Sequence, residues 1–405
     1  MSRNCLFFKN LTVFFVIIFI ISGCARFRHA IPVNLYQKAQ IYGMEDIRIF
    51  ADGPNEMIYQ DMVTSMVQES GQYFLQDENG VKVYPVLAIS GGSADGAYGA
   101  GVLKGWSEHG TRPVFKVVTG ISTGAIIAPF AFLGSEYDEK LECLYTSIST
   151  RDIMRKRSLF TLFFSNSFAS NWPLKRLLDK HIDLELLTEI AKEHAKGRRL
   201  YVGTTNLDAQ SLVIWDMGRI ASFGNKESLK LFRKVILASA AIPVAFPPVF
   251  FDVQVEGKSY DEMHVDGGTA KQVFFLFCVL QGFRDAFDKR GIDIYHTKLQ
   301  LYIIRNGYLN PVWKEIPDKL STITERTVDT MVNAQGLGDL YRLYIFTENS
   351  KGDFNLAYIP SDYVFERKEM FDPDRMKKLF CLGVEKAAQG YPWEKVPPGF
   401  HNGKL

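Results

Sequence analysis

Apolar positions along the chain fall into short runs, each closed by a glycine-rich or polar break. Val86–Ser90 is one such run, of strand length, and it ends at Gly91-Gly92. Small and apolar residues at helical spacing follow over Gly96–Ser107. The same order returns at Val117-Val118-Thr119, a β-branched run that ends at Gly120 and opens the apolar stretch Ala125–Ala128. Further strands are expected at Leu200–Thr204 and Leu212–Asp216 around the turn Leu207–Gln210, and at Phe250–Val255 and Leu299–Ile304. Tyr341–Thr347 and Phe354–Ile359 read as late strands. Helical spacing marks Glu136–Ile148, Leu174–His181, Leu184–His194 and Ser228–Ala241, the last ended by Pro243. A long helix is expected within Ile316–Leu337 and a terminal one over Asp372–Ala388. Strands alternating with helices predict an α/β protein, three-layer α/β/α, with a mostly parallel central sheet.

The first residues read differently. Arg3 and Lys9 precede the apolar run Leu11–Ile21, which is short for a membrane span and suits the core of a secretory signal. Ser22-Gly23-Cys24 follows and resembles a bacterial lipobox. Residues 1–23 are therefore expected to be a signal peptide, with Cys24 the lipidated residue that anchors the protein in a bacterial cell envelope. Ala25, rather than Asp, points to the outer membrane. Residues 24–83 form a tether and prefix, with an edge strand at Ile47–Phe50 and helix-like spacing over Met57–Tyr73. Further on, basic Arg151–Arg157 meets the aromatic stretch Ser158–Phe164. That stretch suits a lipid-facing lid and equally suits core packing under a loop.

Composition narrows the function classes. The chain has 405 residues, 47% of them hydrophobic, and a formal net charge of +2. Bulk charge therefore gives no reason to expect a nucleic-acid partner. The five cysteines, Cys5, Cys24, Cys143, Cys278 and Cys381, make no C-x-x-C pair and no zinc-spaced cluster. Neither a disulfide framework nor a metal site is expected, and no cofactor motif is present.

Chemistry concentrates at the two glycine turns. Gly120-Ile121-Ser122-Thr123-Gly124 is a G-x-S-x-G elbow in the strand–turn–helix setting that presents a serine hydroxyl. Gly91-Gly92-Ser93-Ala94-Asp95-Gly96 can bring backbone N–H groups close to an oxyanion. A phosphate loop is the other reading, but no G-x-x-x-x-G-K-[ST] is present. A third turn, Asp266-Gly267-Gly268, is by itself better explained by turn chemistry, because Asp and Gly both suit turns.

With these blocks in order, the chain resembles the patatin-like phospholipases. Ser239-Ala240-Ala241-Ile242-Pro243 and Phe246-Pro247-Pro248 are similar to a further segment of that family. The resemblance implies a patatin-like fold, a Ser122–Asp266 dyad, and an oxyanion and substrate site at Gly91, Gly92, Ser93, Gly96 and Thr123. Gly120, Gly124, Gly267 and Gly268 shape the turns. It also implies hydrolysis of a phospholipid or other acyl lipid without metal or cofactor. Asp266 has to be buried for this chemistry, because a solvated carboxylate is too weak a base. Residues 84–310 would be the catalytic domain, with 311–405 packed on it.

Two positions depart from the family pattern, Ser93 for a usual glycine and Asp95 for a frequent arginine. Asp95 is expected to cap the helix after it rather than face the serine. Two rival readings remain at the level of sequence. One is a Ser-Asp-His triad using His296 or His401. The other is an envelope lipoprotein that binds lipid without turnover.

Overall fold

The computed structural model describes residues 28–53, 56–68, 75–76, 80–157, 166–276, 297–363, 365–366 and 368–400. The signal and lipobox expectation at residues 1–24, the aromatic stretch Ser158–Phe164, and His296 and His401 lie outside these residues. From the N-terminus the elements are β1 (Arg48–Phe50), α1 (Glu56–Gln68), β2 (Leu75–Gln76), β3 (Lys82–Ile89), α2 (Gly96–His109), β4 (Val117–Ile121) and α3 (Thr123–Leu133). Next come α4 (Asp138–Thr146), α5 (Thr150–Ile153), β5 (Arg155–Lys156), β6 (Ala169–Ser170), α6 (Trp172–His181) and α7 (Leu184–Ala195). The middle continues with β7 (Arg199–Asn206), β8 (Ser211–Asp216), α8 (Met217–Ser222), α9 (Lys226–Ser239), β9 (Val249–Val255) and β10 (Lys258–Asp266). The chain closes with β11 (Thr297–Arg305), α10 (Leu320–Asn349), β12 (Asp353–Tyr358) and α11 (Pro373–Ala388).

One sheet organises the molecule. Its spine runs β1-β8-β7-β4-β3-β11-β12, with β10 and β9 branching from β7 and β2 from β3. The five strands from β7 to β12 are mutually parallel, while β8 and β1 close one side antiparallel. Period-two alternation sorts side chains between two cores. On β3, Leu87 and Ile89 enter one core while Val86 and Ala88 enter the other. The first core joins the sheet to α2, α3, α7, α9 and α11. The second is covered by α1 and α10. The result is a three-layer, mostly parallel α/β fold. Among the described residues no helix is long and apolar enough to cross a membrane.

Two elements differ from the sequence reading. Tyr341–Thr347 was expected as a strand but is the last part of the helix α10. Leu340, Leu343, Tyr344 and Thr347 are among its buried positions, and that spacing is helical. Aromatic and β-branched residues favour strands only weakly, and packing against the sheet overrides them. The hairpin strand β10 was not anticipated because Asp261, Glu262 and His264 are buried on it. Their partners come from remote segments: Arg28 reaches Asp261 at 2.7 Å and Arg48 reaches Glu262 at 2.5 Å.

Candidate active site

Parallel strands carry their loops to one edge, and the site is built there. Ser122 follows β4 directly and adopts φ 54° and ψ −118°, a conformation sparsely populated by residues with a side chain. Its flanking glycines leave no room for a Cβ. A Cβ on Gly120 would lie 2.4 Å from the Gly124 carbonyl oxygen, and one on Gly124 would lie 2.3 Å from that of Ile89. The turn is held by a relay that the sequence did not reveal. The Ser122 N–H donates to Ser239 Oγ at 2.9 Å, and that hydroxyl donates to the Gly203 carbonyl at 2.7 Å. Ser239 closes α9 and opens the S-x-A-I-P segment, so the family-like block carries a positional role.

Asp266 ends β10 and meets the serine. The Ser122 Oγ donates to Asp266 Oδ2 at 2.6 Å, while Oδ1 accepts the Gly268 N–H at 2.7 Å. The Asp266 N–H donates to the Ala241 carbonyl at 2.9 Å, which pins the turn to the end of α9. Both side chains are buried, at 6% and 5% exposure. Burial pushes the Asp266 carboxyl up to about 7, against the opposing pull of the bonds from Ser122 and Gly268.

The glycine-rich loop lies against this pair. Gly91 is close enough that a Cβ on it would touch the Ser122 Cβ at 3.4 Å. Not every predicted donor is available. The Gly91 N–H is taken by the Gln272 carbonyl at 3.0 Å, and the Gly96 N–H by the carbonyls of Ser93 and Ala94. The expectation that these two donate to an oxyanion is therefore corrected to a structural role. Gly92, Ser93 and Thr123 remain as donor candidates. Thr123 is the first residue of α3, where N–H groups lack intrahelical partners. Gly92 is required by crowding, since a Cβ there would fall 2.0 Å from the Asn306 carbonyl oxygen. Ser93 stands at φ 53°, a conformation that favours glycine, and its buried hydroxyl has no partner among the described residues.

Asp95 also differs from expectation. It stands at the N-cap position of α2 but its side chain makes no capping bond. Its carboxylate is paired with Arg375 on α11. Arg305, at the end of β11, lies beneath the loop with Nη1 at 3.3 Å from the Gly91 carbonyl oxygen. Neither arginine was singled out from sequence.

His264 takes no part in the pair. It is bonded to Thr204 Oγ1 at 2.8 Å and to Glu262 at 3.1 Å. Among the described residues, Asp61, His194 and Asp216 form a group with metal-ligand geometry. Arg199 already neutralises Asp61 there through bonds of 2.7 and 2.9 Å, so a dication would meet a guanidinium.

The patatin-like phospholipase family matches residues 87–276. A stretch of 76 residues is 45% identical to the cUMP-AMP-activated phospholipase of Escherichia coli, covering 18% of this chain. The match spans 23% of that relative's length. Among solved structures, VipD from Legionella pneumophila is similar at TM-score 0.37 and 11% identity, over 78% of this chain and 70% of that one. ExoU from Pseudomonas aeruginosa, in complex with SpcU, is similar at 0.29 and 14%, over 78% and 54%.

Proposed function

We propose, from the premise that residues 87–276 are a patatin-like phospholipase domain, that this chain hydrolyses acyl esters of lipids with Ser122 as nucleophile and Asp266 as base. The observation that carries this reading is the 2.6 Å bond from the Ser122 hydroxyl to a buried Asp266 carboxylate.

The chemistry follows from the geometry. Asp266 takes the Ser122 proton as Oγ attacks the ester carbonyl. N–H groups of Gly92, Ser93 and Thr123 receive the developing oxyanion, the term that usually dominates acyl transfer. The alcohol leaves with the proton from Asp266, and an acyl-Ser122 ester remains. Asp266 then deprotonates a water that attacks this ester, and the fatty acid departs as Ser122 is restored. A carboxyl held near 7 is matched to neutral pH, whereas an ordinary one would be ionised but weakly basic.

The test is turnover of a medium-chain p-nitrophenyl ester and of a labelled phospholipid by wild type, Ser122→Ala and Asp266→Asn. Losses on the order of 10³-fold or more are expected for both variants. A fluorophosphonate should label the wild type at Ser122. An Asp266→Asn variant with normal turnover would overturn the dyad, and an inert, unlabelled wild type would favour lipid binding without hydrolysis.

A further inference from the structure

A groove of about 1530 Å³ opens between α5, the start of α6, residue 314 and the segment that follows β12. Its cations are Arg151, Arg155, Arg176, Lys180, Lys314 and Lys368, against the acids Asp152, Glu325 and Glu369. Asp152 is engaged in capping α5, where it accepts from the Ser149 N–H at 2.9 Å. No carboxylate partner is found for Arg151, Arg155, Arg176, Lys180 or Lys314 among the described residues. The Arg176 guanidinium lies 4.9 Å over the Trp172 ring, and that ring is itself 57% exposed. Four residues before Trp172, Phe168 is 59% exposed, and its N–H donates to the carbonyl of Val244, itself 60% exposed. A surface of cations that mostly lack a carboxylate partner among the described residues, with exposed aromatic and aliphatic side chains in its flanking segment, is complementary to anionic headgroups over an acyl interior.

Both walls are joined to the candidate active site. The Phe168 and Ala169 N–H groups donate to the carbonyls of Val244 and Ala245, a few residues past Ala241, which holds the Asp266 backbone. On the other wall, the Phe371 N–H donates to Thr150 Oγ1 at 3.0 Å, and Arg375 on the same stretch pairs with Asp95. The segments after β11 and β12 emerge at the same sheet edge as Ser122.

We propose that this groove and its apolar flanking segment dock the protein on a bilayer containing anionic phospholipid, at the edge where Ser122 lies. The inference rests on the acyl-lipid reading above and adds to it the charge class of the surface that the enzyme works on. Each cation at such a surface strengthens partitioning about fivefold.

Flotation of the full chain carrying Ser122→Ala with phosphatidylglycerol or phosphatidylcholine vesicles reads docking without turnover. A failure here leaves the hydrolysis reading standing, and the reverse also holds. Any contribution of the N-terminal apolar run is common to both sets of variants, so comparing their ratios isolates the charge of the groove. Preference for phosphatidylglycerol is expected. Adding Arg151→Gln, Arg155→Gln and Arg176→Gln should reduce that ratio on the order of a hundredfold. Neutralising Lys192, Lys196 and Lys258, exposed but outside the groove, should change it far less. An unchanged ratio in the arginine variant, or equal losses in the two sets, overturns the proposal. Release from vesicles by inorganic phosphate at constant ionic strength would mark a soluble-anion site and overturn it as well.

Discussion

Burial holds the Asp266 carboxyl near 7, beside the Ser122 hydroxyl, and that value carries two predictions of opposite sign. Its folded value of about 7 stands above the ordinary 3.8. Between those values the folded state keeps a proton that the unfolded chain has released. Stability therefore falls as pH rises through that window, by on the order of 4 kcal/mol, and levels off above about 7. Asp266→Asn has no such slope. Urea midpoints of the two proteins should converge or cross between pH 4 and 7, and parallel curves would show an ordinary carboxyl. Catalysis moves in the opposite direction, because the base has to be ionised. The wild-type kcat/KM should rise with pH to a plateau above about 7. Ser122 was legible as a candidate because glycines must flank such an elbow, and glycine spacing is a local signal, whereas Asp266 was picked out only by the order of the family-like blocks. Ser239, Arg305 and Arg375 were not. Their roles depend on partners brought up by the fold, and Asp95 and Arg375 lie 280 residues apart.

Helices α2 and α11 meet backbone to backbone. A Cβ on Gly101 would lie 2.1 Å from the Phe380 carbonyl oxygen, and one on Gly383 would lie 2.4 Å from that of Tyr98. Helix α2 has no room to yield, since it is also packed on the sheet, so the strain falls on its contact with α11. Gly101→Ala is accordingly expected to cost about 3 kcal/mol, read as a lower denaturant midpoint. It should also reduce ester turnover, because α11 carries the Arg375 that holds Asp95. A wild-type midpoint would mean that the helices can separate freely. Continuous apolar runs revealed most parallel strands, and capping and helical spacing revealed most helices. The failures were elements whose character is set by remote partners. Tyr341–Thr347 has strand-like composition and a helical buried face, and β10 hides charged residues that Arg28 and Arg48 neutralise.

At the scale of the molecule, both flanks of the family-matched segment enter the central sheet. The prefix supplies β1 at one side and the late chain supplies β12 at the other. Ending the chain after residue 310 would remove α10, β12 and α11. That exposes the paired edge of β11, the glycine face of α2 and much of the second core. Such a fragment is expected to aggregate or to be digested rapidly, by size-exclusion chromatography and limited proteolysis. A soluble, protease-resistant monomer would show that the chain folds without the elements after residue 310. The topology of the flanks was not legible, because strand order depends on pairings distant in sequence. One such pairing also has a consequence in time. Ribosomes add about 5–20 residues per second. Arg375 therefore emerges roughly 14–56 s after Asp95, given their separation of 280 residues. Throughout that interval the glycine loop lacks its clamp. Biogenesis itself thus postpones assembly of the site until a stretch far past the family-matched segment has been made.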